Sequence, residues 1–158
     1  MKLISKILVA TAMLLSANTI NAQIVKAEIF ATGLTCSMCS KSIHKQLTKL
    51  PEIEKIEVDL NNNSFIVLLK KGNKITPRIL KESIEKAGFF VGEMFVWFEN
   101  EAVSSNYIFL NDDKTFKYKI LDKGYTSSKE YRKNKKIYSK ILTYLIENED
   151  NYHLITAK

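Results

Sequence analysis

The chain has 158 residues, 46% of them hydrophobic and 26% charged, and a formal net charge of +7. This size fits one domain, or one domain with an appendage, and the apolar share can bury a core. Two cysteines, Cys36 and Cys39, exclude a disulfide-dense scaffold and a four-thiolate zinc site within one chain, while the absence of GxGxxG and of a P-loop string argues against dinucleotide or nucleotide binding.

In chain order, Lys2 and Lys6 precede an apolar core, Ile7 to Leu15, and a more polar stretch ending at Ala22. This predicts a secretory signal peptide over residues 1–22, cleaved after Ala22. No cysteine follows the apolar core directly, which argues against a lipid anchor. The expected product is exported across the inner membrane and is periplasmic and soluble, since no apolar run reaches the roughly 18 residues a spanning helix needs.

Residues 24–31 read as a strand, Gly33-Leu34-Thr35 as a loop, and Ser37 to Leu50 as a helix whose Cys39, Ile43, Leu47 and Leu50 share one face. Pro51 marks its end. Ile56, Val58 and Leu60 alternate with Glu57 and Asp59, a half-buried strand over 53–60. The triple Asn61-Asn62-Asn63 supplies turn chemistry, and Ser64 to Lys70 returns as a second strand. Thr76 caps a helix with Pro77 at its first position, Ile79, Leu80, Ile84 and Ala87 form its apolar face, and Gly88 ends it. Phe89 to Phe98 is again strand-like. Strand, helix, strand, strand, helix, strand predicts an α+β fold, the ferredoxin-like βαββαβ sandwich, with two helices on one face of a four-stranded antiparallel sheet.

Beyond Phe98 the pattern changes. Residues 99–106 read as linker. Tyr107 to Leu110 and Thr115 to Leu121 read as two strands around an Asn111–Lys114 turn. Ser127-x-x-Glu130 resembles a capping box for a helix over about 128–147, with Tyr131, Tyr138, Ile141, Leu142 and Leu145 as its apolar stripe. Tyr152 to Ile155 reads as a last strand. The expected organisation is a signal peptide at 1–22, a domain at 23–98 and a C-terminal extension at 99–158. A separate core of that size is marginal, so the extension should pack on the first domain.

The charge is uneven. Residues 23–95 hold 11 basic and 8 acidic residues, whereas 114–140 hold 10 basic and 2 acidic. Nucleic acid is a poor partner for an exported chain. The basic C-terminal part reads as a solvated lysine face, able to meet an acidic partner or a membrane surface peripherally.

Cys36-Ser37-Met38-Cys39 is the one constellation with chemistry in it. Cys36 falls in the loop and Cys39 in the first helical turn, so both sulfurs can converge. A helix N-terminus favours thiolate, and thiolates favour soft ions such as Cu(I). Two ligands leave the ion open to attack by a partner's thiols, which suits transfer. The same spacing also fits a thiol-disulfide oxidoreductase or redox sensor, with Cys36 attacking and Cys39 resolving, or half of a zinc site. A third reading is a protein-interaction module with a silent CxxC. Against the redox reading, the chain departs from the pattern of thioredoxin-like enzymes: Pro77 begins a helix instead of preceding a strand, and Thr35 stands where those enzymes carry an aromatic before the first cysteine. Met38 is soft enough to be a third ligand but reads as an exposed loop residue; neither His44 nor His153 is assigned to metal.

Gly33-Leu34-Thr35-Cys36-Ser37-Met38-Cys39 resembles the heavy-metal-associated domain motif, and Ile84-Glu85-Lys86-Ala87-Gly88-Phe89 resembles that family's second-helix ending. The resemblance covers about residues 24–95 and includes copper chaperones and an exported mercury-binding protein. It implies a metal-binding protein, not an enzyme, with Cys36 and Cys39 as ligands of Cu(I), or of Hg(II) or Zn(II), and a metal donor or acceptor protein as partner. It also implies that Thr35 shapes the loop and that Lys86 or Phe89 lies near the site. Leu34 replaces the usual Met, a tolerable volume swap.

Overall fold

The computed structural model describes residues 23–99, 106–111, 117–146 and 151–157. The expected signal peptide, most of the linker and most of the Asn111–Lys114 turn lie outside the described residues.

The first six elements are β1 (Ile24–Thr32), α1 (Ser37–Leu47), β2 (Ile53–Asp59), β3 (Ser64–Leu69), α2 (Pro77–Lys86) and β4 (Phe90–Phe98). Their strands run in the order β2-β3-β1-β4, antiparallel throughout. The two helices contact each other, and their apolar faces are buried with the inward residues of the sheet. This is the expected ferredoxin-like sandwich. Its core follows from period-two burial along the central strands: Ala27, Ile29 and Ala31 in β1, and Met94, Val96 and Phe98 in β4. Ile43 and Leu47 of α1 and Leu80 and Ile84 of α2 close it from above.

Local chemistry sets the helix ends. The Thr76 hydroxyl accepts from the Ile79 amide at 3.4 Å, Pro77 opens α2, and Gly88 follows it at φ 90°. Helix α1 is shorter than its apolar spacing predicts. The Thr48 hydroxyl donates back to the carbonyls of His44 and Lys45, both at 3.0 Å, and the chain turns there, before Leu50. The alternation in β2 also overstates burial: Ile56 is half-buried but Val58 and Leu60 are exposed, because β2 is a sheet edge and Leu60 lies past its end.

The C-terminal elements are β5 (Tyr107–Phe109), β6 (Lys117–Ile120), α3 (Ser128–Ile137), α4 (Leu142–Leu145) and β7 (Tyr152–Thr156). They extend the same sheet, in the order β4-β6-β7-β5, and their buried residues join the first core in one cluster. Phe98 is the hinge of that junction. Its ring meets Tyr107 at 4.9 Å and Tyr118 at 5.9 Å. The two strands expected around one turn are not paired with each other. Strand β7 inserts between them, parallel to β5 and antiparallel to β6, because it satisfies both edges: Leu110 N donates to Leu154 O, and Leu121 N to His153 O, each at 2.9 Å.

The predicted long helix over 128–147 is broken. Helix α3 stops at Ile137, and α4 is a single turn reached through residues 138–141. Tyr144 explains the break. Its phenol donates to Leu121 O at 2.8 Å, and its ring packs on Tyr131, Tyr138 and His153. A continuous helix would carry residue 144 about 240° around the axis from Tyr138, away from these partners. The expected apolar stripe is therefore corrected: Tyr131 and Tyr138 stay on the inner side, Tyr144 joins them, and Leu142 and Leu145 turn outward. The capping box is half made. Ser127 accepts from Glu130 N at 3.3 Å, but the Glu130 carboxylate goes to Lys119 and Thr126.

Helices α3 and α4 lie on the opposite face from α1 and α2. Lys119 is in register with Phe95 and Ile155, which point away from the first two helices, and His153 shares that side. Lys119 meets Glu130 of α3 at 2.8 Å, and His153 meets Thr143 of α4 at 3.0 Å.

Candidate metal centre

The first β–α connection builds the site. Gly33 turns the chain out of β1 at φ 86°, a conformation costly for a residue with a Cβ. Phe89, arriving from the end of α2, stands behind this turn, its ring edge 3.8 Å from where a Gly33 Cβ would be. Leu34 packs against the core, so the loop is held from beneath by two apolar contacts. Cys36 is then the extended residue before α1 (φ −156°, ψ 161°), and its carbonyl accepts from Cys39 N at 3.0 Å. That turn brings the sulfurs together: Cys36 Sγ and Cys39 Sγ are 3.0 Å apart, both thiols free.

The pair sits where negative charge is favoured. No acidic side chain occupies the first turn of α1, and no side chain caps its N-terminus. The Cys39 thiol is lowered from an ordinary 9.0 to about 7, chiefly by the Cys36 side-chain hydrogen bond and then by the Thr35 backbone, with the Thr35 hydroxyl adding a little.

Of the residues expected near the loop, Thr35 and Phe89 are brought there. Lys86 reaches back along α2 to Glu82, with 4.0 Å between charged atoms. Met38 is exposed between the cysteines. Phe90 is a neighbour that sequence reasoning missed. It pairs with Thr32 and is exposed at the mouth of β4. The signal was the Phe89-Phe90 doublet, since strand geometry turns adjacent side chains to opposite sides.

Neither histidine joins the pair. His44 is half-exposed along α1. His153 is buried in β7, three strands from β1 and so about 14 Å across the sheet. Its ring bridges Asp122 Oδ1 at 2.7 Å and Thr143 Oγ1 at 3.0 Å, while its amide donates to Asp122 Oδ2 at 2.6 Å. This latch ties β7 to the loop after β6 and to α4. Among the described residues no group of three or more His, Cys, Asp or Glu side chains could hold a metal. A cavity of about 340 Å³ between α2 and the C-terminal segment is lined by Arg78, Lys81, Tyr125, Tyr131, Tyr144 and Asn151 among others, and by no residue of the cysteine loop.

Residues 28–90 match the heavy-metal-associated domain. A probable copper-transporting ATPase of Arabidopsis thaliana, HMA5, is 35% identical over 66 residues; these are 42% of this chain and 6% of the ATPase, so the chain corresponds to a small part of that relative. Among solved structures, the yeast copper transporter domain Ccc2a, studied in apo and Cu(I)-loaded states, is 32% identical over 41% of this chain and 88% of its own, with a TM-score of 0.38. A copper-binding domain from HMA7, a P-type ATPase, is 31% identical over 48% and 99% of the two chains, with a TM-score of 0.40. The motif, the topology and the match agree: residues 28–90 of this chain are a heavy-metal-associated domain.

Proposed function

We propose that this chain captures a soft thiophilic ion, Cu(I) before Hg(II) or Zn(II), at Cys36 and Cys39 and passes it to a partner protein. The observation that carries this reading is the pair of sulfurs, Cys36 exposed and Cys39 half-buried, 3.0 Å apart at an uncapped helix N-terminus. Two thiolates, with no acidic side chain in the first turn of α1, suit a soft monovalent ion. The copper-transporting relative supports copper as the ion. Transfer follows from exposure: a two-sulfur ion on an open loop leaves room for an incoming thiolate, so the ion can move without being released. The partner is then a protein presenting its own thiols. The N-terminal charge and apolar run support export, so the acceptor would face the periplasm. On this reading the chain moves an ion and performs no catalysis.

The test is competition for Cu(I) between the reduced chain and a chromogenic chelator, repeated for Cys36→Ser and Cys39→Ser. One ion per chain, lost in both variants, supports the proposal. Binding that survives both substitutions refutes it. A second reading, a dithiol oxidoreductase, draws on the depressed Cys39 thiol. It requires metal-free turnover of a disulfide such as insulin, abolished by either substitution.

A further inference from the structure

The break between α3 and α4 leaves an apolar surface turned to solvent. Leu142, Leu145 and Ile146 are 74%, 36% and 65% exposed, and Ile137 at the end of α3 is 59% exposed. Leu142 and Leu145 belong to the α4 turn, which the Ile146 amide closes onto Leu142 O at 3.1 Å; Ile146, just past the turn, also borders the cavity lined by Tyr131 and Tyr144. Tyr144, turned inward, is the anchor. The short helix is thus amphipathic in the inverted sense for a soluble protein, with its aliphatic side outward and its phenol inward.

Cations crowd the helix that precedes α4 and the connection to it. Residues 128–140 hold Lys129, Arg132, Lys133, Lys135, Lys136 and Lys140 against one acid, Glu130. Glu130 is already engaged by Lys119 and Thr126. Lys129, Lys133 and Lys136 follow one another at helical spacing beside Ile137, all exposed. Among the described residues Lys129, Arg132, Lys136 and Lys140 have no ion pair. An acidic run, Glu147 to Asp150, follows α4 in the sequence.

We infer that this face docks the protein peripherally on an anionic lipid bilayer. Leu142, Leu145, Ile146 and Ile137 enter the headgroup boundary, and the α3 cations meet lipid phosphates. Charge complementarity selects this occupant. Protein interfaces are depleted in lysine and rich in aromatic anchors, whereas an aliphatic patch beside a run of lysines is the composition of an interfacial helix. The long lysine stems can lie along the apolar boundary while their ammonium groups reach water. The inference builds on the export reading, which places the chain beside a membrane, but not on metal binding.

The experiment uses the processed chain, its N-terminus set by mass spectrometry, sedimented with vesicles of phosphatidylcholine alone or mixed with phosphatidylglycerol. Binding to the mixed vesicles that weakens with salt is expected. A Leu142→Ser/Leu145→Ser/Ile146→Ser variant should lose about tenfold or more in affinity. A Lys129→Gln/Lys133→Gln/Lys136→Gln variant should lose the preference for the anionic lipid. Circular dichroism checks that both fold, and single Leu142→Ser, at the most exposed site, serves if the triple variant does not. No sedimentation, or sedimentation equal in wild type and variants, overturns the inference. So does a concentration-dependent dimer by ultracentrifugation that the apolar variant abolishes, since the face would then be covered by a second copy. Cu(I) titration of the same samples reads the cysteine site separately: retained metal with lost sedimentation, or the reverse, tells the two proposals apart.

Discussion

The two parts of the chain follow the same rules of packing but differ in how far apart the deciding contacts lie. In residues 23–98 each element's existence and type are declared locally. Alternation marks β1 and β4, and Thr76-Pro77 with Gly88 brackets α2. In residues 107–157 a contact between distant positions, Tyr144 to Leu121, cuts a helix that its own spacing would continue. The first part is therefore specified by contacts within it, and the second is built onto the edge of its sheet and into its core, fastened by aromatic rings and one latch. Expected perturbations should separate the parts accordingly.

The largest effect belongs to the shared core. Phe65, fully buried in β3, is expected to cost about 3–5 kcal/mol when changed to Ala, and chemical denaturation should show both parts melting together. Two separate transitions would show that the extension folds by itself.

Tyr144→Phe removes one buried hydrogen bond and leaves the ring. A loss of about 1–2 kcal/mol is expected, and hydrogen exchange should speed mainly in α4 and β7. Exchange that rises equally in β1 and β3 would contradict the division.

The caps give a smaller, paired comparison. Thr76→Ala and Ser127→Ala should each cost about 1 kcal/mol through the lost bond to the third helical amide, and the Thr76 change also removes a hydrogen bond with the Tyr152 side chain. Thermal melts should show the Thr76 change lowering stability of the whole sandwich, while proteolysis should report the Ser127 change near α3.

The smallest effect is a pH dependence. Because the folded Cys39 thiol lies near 7, below its ordinary 9.0, its thiolate favours the folded state. That contribution is complete above the ordinary thiol value and is lost as pH falls through about 7. Alkylation of Cys39 in a Cys36→Ala variant should shift its midpoint upward, because the Cys36 hydrogen bond is the main cause of the depression. An unchanged midpoint would assign the cause to the backbone instead.

How much of this was legible follows from the range of each determinant. The cysteine pair, its loop and the glycine before it lie within seven residues, Gly33 to Cys39, so spacing alone conveys their convergence. The end of α1 was misplaced because a Thr48 hydroxyl competed with helical continuation, a choice that the apolar positions do not encode. The edge character of β2 depends on which strand lies beside it, and no local pattern records that. The pairing of β7 between β5 and β6 has the same origin. His153 had no visible role in the sequence because its partners Asp122 and Thr143 are 31 and 10 residues away. Phe90 could have been found from the phenylalanine doublet once β4 was accepted.

The central claim is that two sulfurs, and no other group of this chain, hold the ion. X-ray absorption at the copper edge of the Cu(I)-loaded reduced protein tests it directly. The account predicts a first shell of two sulfurs and no nitrogen, and no ordered shell at all when both cysteines are serine. A histidine nitrogen in the shell, or copper held equally well without the cysteines, would contradict it.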